Sequence, residues 1–304
     1  MGVAASSIPV EHDAPIATWF GIGGRAERLA RPRTGEELSA CLEMDPSLVV
    51  LGDGANLLVD DDGISTLVVK LEGPTWEHVE IDRATGRVHA GAGANLPRLI
   101  NETVREGLAG LEGLTGIPAT VGGATIMNAG GRFGEIGSVI RRVHTLGRDG
   151  RRHELEASEI AFGYRRSGLH DHVVTAVELQ LTQDDPAGVR ERLKANMAYK
   201  KQSQPMAAQS AGCCFKNPTL EHDVPGIGHR GQRVSAGLLI DRAGCKGLAH
   251  GGASVSDVHA NFFVTAKDAK ARHVIELMQM VVQRVEAVFG VRLEREVVVW
   301  SNHP

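Results

Sequence analysis

Residues 110–140 read GLEGLTGIPATVGGATIMNAGGRFGEIGSVI, a segment that is rich in glycine and poor in charge. So much glycine disfavours a regular helix, and the uncharged runs are too apolar for a loop in water. Such a segment is typical of backbone packed against something flat and rigid, or against the core of the protein itself. The residues alone leave both interpretations open.

Two shorter loops of small residues precede this segment. One lies at residues 52–56 within LVVLGDGANLLV, and the other is AGAGAN at residues 90–95, after a β-type pattern. Backbone amides in such loops can face a phosphate, although an ordinary turn would explain either loop alone. Two of them favour one extended anion as the ligand.

The remaining patterns predict a mixture of helices and strands. Helices are predicted over residues 34–44, with Thr34 as N-cap, over 185–205 and over 266–290. Asp149 and Gly150 predict a hairpin between alternating runs. The closing residues 291–300, VRLEREVVVW, are predicted to form a strand in which Glu294 and Glu296 point to one side.

Composition excludes several classes of protein. The 304 residues carry a formal net charge of −4 with mixed signs, so nucleic acid is not an expected partner. No apolar run is long enough to cross a membrane and no secretory signal is recognisable, so a cytoplasmic protein without membrane contact is expected. The four cysteines lack the spacing of a zinc site, and no metal site is predicted.

One short stretch concentrates reactive side chains. Residues 210–218, SAGCCFKNP, place Cys213, Lys216 and Asn217 within five residues. They can supply a proton donor, a cation and an amide to one ligand. We interpret Cys213 as an acid, with Cys214 as the alternative, and Cys41 and Cys245 as structural thiols.

Taken together, these segments closely resemble the UDP-N-acetylenolpyruvoylglucosamine reductases, the MurB family of peptidoglycan precursor synthesis. The resemblance covers nearly the whole chain and looks like the shorter type of the family, which lacks an extra tyrosine-bearing loop. The matching motifs, in chain order, are TWFGIGG, LGDGANLLV, AGAGANL, GLEGLTGIPATVGGATIMNAGGRFGE, FGYRRS, SAGCCFKNP, AGLLIDRAGCKG, HANFFV and LEREV.

The resemblance implies an α+β fold with a two-lobed FAD-binding domain of the vanillyl-alcohol oxidase/PCMH type. This domain would span residues 14–184, with lobes at about 14–70 and 71–184. A connecting helix at 185–204 and a smaller α+β substrate-binding domain at 205–304 would follow. A monomer is expected.

The resemblance also implies the cofactors, FAD held noncovalently and NADPH as hydride donor. The pyrophosphate of FAD would lie at the first small-residue loop and its flavin along the glycine-rich segment. The implied FAD-binding residues are Gly52, Asp53, Gly54, Ala55, Asn56, Leu57, Gly116, Ile117, Pro118, Thr120, Gly122, Gly123, Ala124, Asn128 and Ala129.

The implied reaction reduces the enolpyruvyl ether of UDP-N-acetylglucosamine, with small molecules as the only partners. Cys213 occupies the position of the family's proton-donating serine, which is the main departure from the family. Arg165 and Glu296 would stabilise the enol intermediate. Tyr164, Lys216 and Asn217 would bind the substrate.

Two alternatives of a different kind remain. One is an inactive flavin-binding paralogue that acts as a sugar-nucleotide binder or as a thiol redox sensor. The other is an oxidase of the same fold that uses oxygen as acceptor. Residues 131–133 also depart from the family's usual NAGAYG, a change expected at the flavin rim or the substrate mouth.

Overall fold

Residues 8–303 are described in the computed structural model of the chain, and they form helices and strands in mixed order. The strands are β1 Val10–Pro15, β2 Arg25–Ala30, β3 Val49–Leu51, β4 Leu57–Val59, β5 Val68–Lys70, β6 Val79–Asp82, β7 Arg87–Gly91, β8 Leu108–Ala109, β9 Gly130–Gly131, β10 Gly134–Glu135, β11 Ile140–Gly147, β12 Arg152–Glu156, β13 His172–Gln180, β14 Thr182–Gln183, β15 Ala249–His250, β16 Ala253–Val255, β17 Phe263–Thr265 and β18 Val298–Trp300. The α-helices are α1 Gly35–Met44, α2 Pro74–Glu77, α3 Leu96–Arg105, α4 Val121–Ile126, α5 Pro186–Ser203, α6 Ala236–Arg242 and α7 Ala271–Phe289.

The chain divides into two compact units, each made of three segments. Among the described residues, unit one comprises 8–14, 26–53 and 65–200. Unit two comprises residues 15–25, 54–64 and 201–303. The domain bounds expected from the family stay a prediction.

Unit one is organised around a five-stranded antiparallel sheet in the order β12-β11-β13-β7-β6. The predicted hairpin at Asp149 and Gly150 joins β11 to β12, where Gly150 has a φ of +76° that favours glycine. Successive residues of a strand face opposite sides of the sheet. The central strands accordingly bury Val143, Val177 and Val88 in the core and turn polar neighbours to the other face.

Unit two packs α6 and α7 with the antiparallel strands β15, β16 and β17. Two aromatic rings in its core, Phe215 and Phe263, meet edge to face with centroids 5.9 Å apart. The helix α7 ends at Gly290, whose φ of +65° is the left-handed conformation that terminates many helices. The strand β18 pairs in parallel with β4, with Val298 opposite Leu57.

The predicted helices are confirmed to within a few residues at their ends. At α1 the backbone amide of Glu37 donates to Thr34 Oγ1 at 3.2 Å, as expected of an N-cap. The strand predicted over residues 291–300 is wrong for most of its length, because only Val298–Trp300 is a strand. The preceding residues make isolated backbone contacts instead of a continuous ladder. None of the helices in the described part of the chain is long and apolar enough to cross a bilayer.

Candidate active site

Both small-residue loops of the sequence approach one residue of unit one, Thr120. A Cβ built on Gly52 would lie 2.9 Å from Thr120 Oγ1, so only glycine brings this loop so close. Asn95 of the second loop forms an isolated β-bridge with Thr120. Thr120 is also the N-cap of α4, because its Oγ1 accepts from the amide of Gly123 at 3.2 Å.

Close backbone packing holds α4 against the second loop. The amide of Gly122 donates to Ala92 O at 2.8 Å. A Cβ on Gly122 would lie 2.8 Å from the Cβ of Ala92, which leaves no room for a side chain. Small residues at these positions therefore allow loop and helix to touch.

Asn128 connects the glycine-rich segment to the turn that carries Tyr164 and Arg165. Its side chain is fully buried, donates from Nδ2 to Gly163 O at 3.0 Å and accepts from the amide of Gly137 at 2.9 Å. Its φ of +42° lies in the left-handed region, where asparagine is more tolerated than most residues. Both ends of the amide are used to fix this junction.

Arg165 occupies a position that usually requires glycine. The amide of Arg166 donates to Gly163 O at 3.1 Å, which closes a tight turn with Tyr164 and Arg165 at its centre. Arg165 has a φ of +56°, the conformation of the third residue of a type II turn. Its guanidinium lies 5.2 Å from the centre of the Tyr164 ring. Backbone strain of this kind clusters at functional sites, so the conformation makes Arg165 a candidate functional residue.

Lys200 is a second cation of unit one that the sequence analysis missed. Its side chain is buried and Nζ donates to Thr115 O at 2.5 Å, next to Gly116. Burial, and after it the positive charge of Arg165, lower the pKa of Lys200 to about 8. Lys200 lies in a charge-rich helix whose sequence is typical of a solvent-exposed helix. The burial of Lys200 could therefore not be predicted from the sequence.

The residues of unit one fit a flavin nucleotide. Ile117, Pro118, Ile126 and Met127 are half-buried and uncharged, as suits the face of a planar ring. The two cations just described lie near the same segment, and the glycines at Thr120 let the backbones of the loops and of α4 approach closely. Binding of FAD requires apolar residues, positive charge and close approach of the backbone, and unit one provides all three.

In unit two, backbone pairing fixes the cysteine stretch from two sides. Cys214 donates from its amide to Asn261 O at 2.8 Å, and Glu296 donates from its amide to Cys214 O at 2.8 Å. The side chain of Asn261, only 2% exposed, accepts from the amide of Phe215 at 2.9 Å and donates to Phe215 O at 2.8 Å. Asn261 belongs to the HANFFV motif, but the motif alone did not predict that its side chain binds the backbone of Phe215.

The two adjacent cysteines lie in opposite environments. Cys214 is fully buried in the core of unit two, whereas Cys213 is half-buried. Burial raises the pKa of the Cys214 thiol, and nearby Cys213 and Glu296 raise it further. Gly212, before the pair, has a φ of +78°, and a Cβ there would have nothing within 4 Å. The stretch therefore has free space beside Gly212, whereas it is packed into the core at Cys214.

The other predicted residues of unit two have identifiable partners. Asn56 donates from Nδ2 to Glu296 O at 3.0 Å, so the first loop contacts the residue paired with the cysteine stretch. Lys216 forms an ion pair with Glu294 at 2.5 Å. Asn217 accepts from the amide of Ala236 at 2.9 Å and so anchors the start of α6.

The predicted residues therefore form two groups. In unit one, Gly52, the segment 116–129 and the turn of Tyr164 and Arg165 are linked through Thr120 and Asn128. In unit two, Asn56, Glu296 and the stretch with Cys213 are linked by backbone hydrogen bonds. Their roles in binding and catalysis stay predictions.

Comparison with known proteins covers both units. Residues 26–156 match the profile of the FAD binding domain, and residues 204–300 match that of the UDP-N-acetylenolpyruvoylglucosamine reductase C-terminal domain. The reductase of that name from Moorella thermoacetica is 42% identical over 290 residues, covering 94% of this chain and 90% of its own. The corresponding Desulfosudis oleivorans protein is 39% identical, with coverages of 95% and 94%.

The chain belongs to the UDP-N-acetylenolpyruvoylglucosamine reductase family. The crystal structure of UDP-N-acetylenolpyruvylglucosamine reductase from Thermus caldophilus aligns with a TM-score of 0.81 at 40% identity, covering 97% of this chain and all of the other. The resemblance noted in the sequence is confirmed. The predicted fold class, an FAD-binding domain followed by a smaller domain in a mixed α and β structure, is confirmed as well.

Proposed function

We propose that this chain reduces UDP-N-acetylglucosamine enolpyruvate to UDP-N-acetylmuramate, a step of peptidoglycan precursor synthesis, with NADPH as reductant. Membership in the reductase family supports the overall reaction. The observation that carries the residue assignment is the opposite burial of Cys213 and Cys214 within one tightly paired stretch. The chain would act in the cytoplasm as a monomer on small molecules.

FAD is the cofactor of this family, and the FAD-domain profile matches unit one over most of its length. We assign its binding to the residues named from the resemblance, with Thr120 and Asn128 holding the surrounding backbone. When bound by these residues, FAD would supply the hydride chemistry, with NADPH as the reductant and the methylene carbon of the enolpyruvyl group as the acceptor. Lys200 and Arg165 supply positive charge beside the glycine-rich segment.

Cys213 is assigned as the acid of the second step. Hydride addition leaves negative charge on the carboxylate side of the substrate, and the adjacent carbon must then take a proton. The thiol Sγ–H supplies it, and the resulting thiolate recovers a proton from solvent before the next turnover. A thiol with a usual pKa of about 8.5 is mostly protonated at neutral pH, yet it is a far stronger acid than an aliphatic hydroxyl.

The remaining residues are assigned to charge stabilisation and binding. Arg165 would stabilise the enolate, because a positioned cation in a site shielded from water is effective where charge develops. Glu296 would assist on the protonation side, consistent with the hydrogen bond that its backbone amide donates to Cys214 O. Tyr164, Lys216 and Asn217 would contact the substrate, and the ion pair of Lys216 with Glu294 would open or rearrange to allow this.

An anaerobic titration tests this function against its alternatives. NADPH should bleach the flavin absorbance, and addition of UDP-N-acetylglucosamine enolpyruvate should restore it with formation of one UDP-N-acetylmuramate per flavin. Fast recovery only on admission of air would indicate an oxidase, whereas slow recovery in air would count against it. Slow recovery in air together with no recovery on addition of the substrate would favour the inactive sugar-nucleotide binder or thiol sensor.

A further inference from the structure

The polar face of the five-stranded sheet in unit one brings two histidines and a glutamate together. Glu178 on the central strand β13 lies directly opposite His89 on β7. His144 lies on β11, the neighbour of β13 on its other side. All three are half-buried, and each alternates along its strand with residues of the core. The register of three strands therefore assembles this group.

The ligating atoms of the group are close enough to share one ion. One nitrogen from each imidazole and one oxygen of Glu178 all lie within 4.8 Å of one another. His144 Nε2 and Glu178 Oε1 are 3.0 Å apart, and the two imidazole centroids are 5.6 Å apart. Ligands of a tetrahedral zinc ion at about 2.0–2.1 Å are separated by roughly 3.4 Å. The His144–Glu178 separation is close to that value, and metal binding would replace the hydrogen bond between these two side chains.

We propose that His89, His144 and Glu178 form a binding site for a divalent transition-metal ion of the zinc class. Two imidazoles and one carboxylate are a ligand set that suits zinc and leaves one position for water. Magnesium and calcium prefer oxygen ligands throughout, so they are not the expected occupants. The site is separate from the residues assigned to flavin and substrate, and it does not depend on the reductase activity.

Carboxylates next to the histidines complete the arrangement. Glu154 Oε1 lies 3.8 Å from His144 Nδ1, and Glu80 lies opposite His89 in the β6–β7 pair. Metal binding requires His144 Nε2 without its proton, and the ring proton is then held on Nδ1, on the side of Glu154. Such carboxylate–histidine–metal arrangements orient the imidazole and increase its affinity for the metal.

The two nearby arginines form loose ion pairs with Glu178 without a hydrogen bond to it. Arg142 and Arg141 approach the carboxylate of Glu178 only to 3.7 and 3.6 Å, which is longer than a hydrogen bond. Arg142 instead donates from Nε to Glu156 at 2.8 Å. With Glu80, Glu154 and Glu156 around the group, the carboxylates outnumber the two guanidinium groups. The local charge therefore favours a cation.

Cysteine spacing predicted no metal site, and this group departs from that prediction. Its members come from residues 89, 144 and 178, which are far apart in sequence and carry no recognisable motif. Only the pairing of β7, β11 and β13 brings them together.

Calorimetric titration of the FAD-loaded enzyme with zinc chloride tests the site. Wild type should bind one zinc per chain at this site, and His89→Gln and His144→Gln should each weaken that binding at least tenfold. His153→Gln is the matched control, because His153 lies on β12 of the same sheet but its ring packs on His172 instead. Equal zinc affinity in all four proteins, or no binding by wild type, would overturn the proposal.

A measurement on wild type alone covers the case in which a variant does not fold. X-ray absorption at the zinc edge of the enzyme with one equivalent of zinc should show a shell of nitrogen and oxygen that includes two imidazoles. A sulfur shell would place zinc on a cysteine and contradict the proposal.

Discussion

The glycine-rich segment of unit one and the cysteine stretch of unit two are held in different ways. The first region and its neighbouring turn use unusual backbone conformations, with Asn128 and Arg165 both at positive φ. The second uses backbone hydrogen bonds of Cys214 with Asn261 and Glu296, together with the side chain of Asn261, which bonds both backbone groups of Phe215. Strained backbone limits which residues fit, whereas a stretch held by backbone pairing tolerates a change of its outward side chain. This contrast explains how a thiol can stand at position 213 where a serine is expected.

The largest effect is expected from Arg165, the strained cation of unit one. Arg165→Met should lower kcat by roughly 10²–10³, because it removes positive charge aimed at the developing enolate. Arg166→Met is the matched control, since Arg166 is the exposed neighbour in the same turn, and steady-state kinetics should find its kcat within a factor of a few of wild type. Equal losses in both variants would assign the effect to the turn and not to the charge.

The second prediction concerns Asn128 and its contribution to the stability of the folded chain. Asn128→Ala should lower the free energy of unfolding by about 2 kcal/mol, because it removes the acceptor of the Gly137 amide and one of the two donors to Gly163 O, and puts alanine at positive φ. Urea unfolding of the variant and of the exposed control Asn101→Ala measures the difference. A loss below about 1 kcal/mol would mean that Asn128 does not hold the turn.

A pH dependence follows from Lys200. Between pH 8 and 10.5 the folded chain has lost this proton while the unfolded chain keeps it, so the stability of wild type rises with pH through this window. Below pH 8 both states are protonated and the contribution is constant. The stability of Lys200→Met relative to wild type should therefore fall by about 2 kcal/mol from pH 7.5 to pH 10 in urea unfolding. A pH-independent difference would show that Lys200 is not desolvated.

The smallest effect is expected at Cys214. Cys214→Ser should lower the free energy of unfolding by about 1–2 kcal/mol, because it buries a hydroxyl in the core, and turnover should be retained. Cys245→Ser, at another buried thiol of the same unit, should behave alike. Loss of turnover in the first variant alone would move the acid from Cys213 to Cys214.

The sequence predicted more of the fold than of the site geometry. Motifs in register predicted the family, and capping at Thr34 predicted a helix start, because these depend on local residues. The positive φ of Arg165 was not predictable, since only glycine signals such a conformation in a sequence. The strand expected over residues 291–300 is mostly absent, because residues 294–296 pair with the cysteine stretch and not with a continuous strand.

The burial of polar residues was also not predicted from the sequence. Lys200 sits among exposed charges of α5, and Asn261 looks like any polar residue in HANFFV. Their positions depend on tertiary packing, which charge patterns do not encode. The same holds for His89, His144 and Glu178, which strand register alone brings together.

Stopped-flow reoxidation of the reduced flavin under anaerobic conditions tests the role of Cys213 most directly. Wild type, Cys213→Ala and Cys214→Ala are reduced with one equivalent of NADPH and then mixed with UDP-N-acetylglucosamine enolpyruvate. The account predicts equal rates of reduction in all three, and reoxidation at least about 10²-fold slower in Cys213→Ala only, because hydride addition reverses when no proton traps the product. Reoxidation of Cys213→Ala at the wild-type rate would contradict it, because the proton would then come from another group.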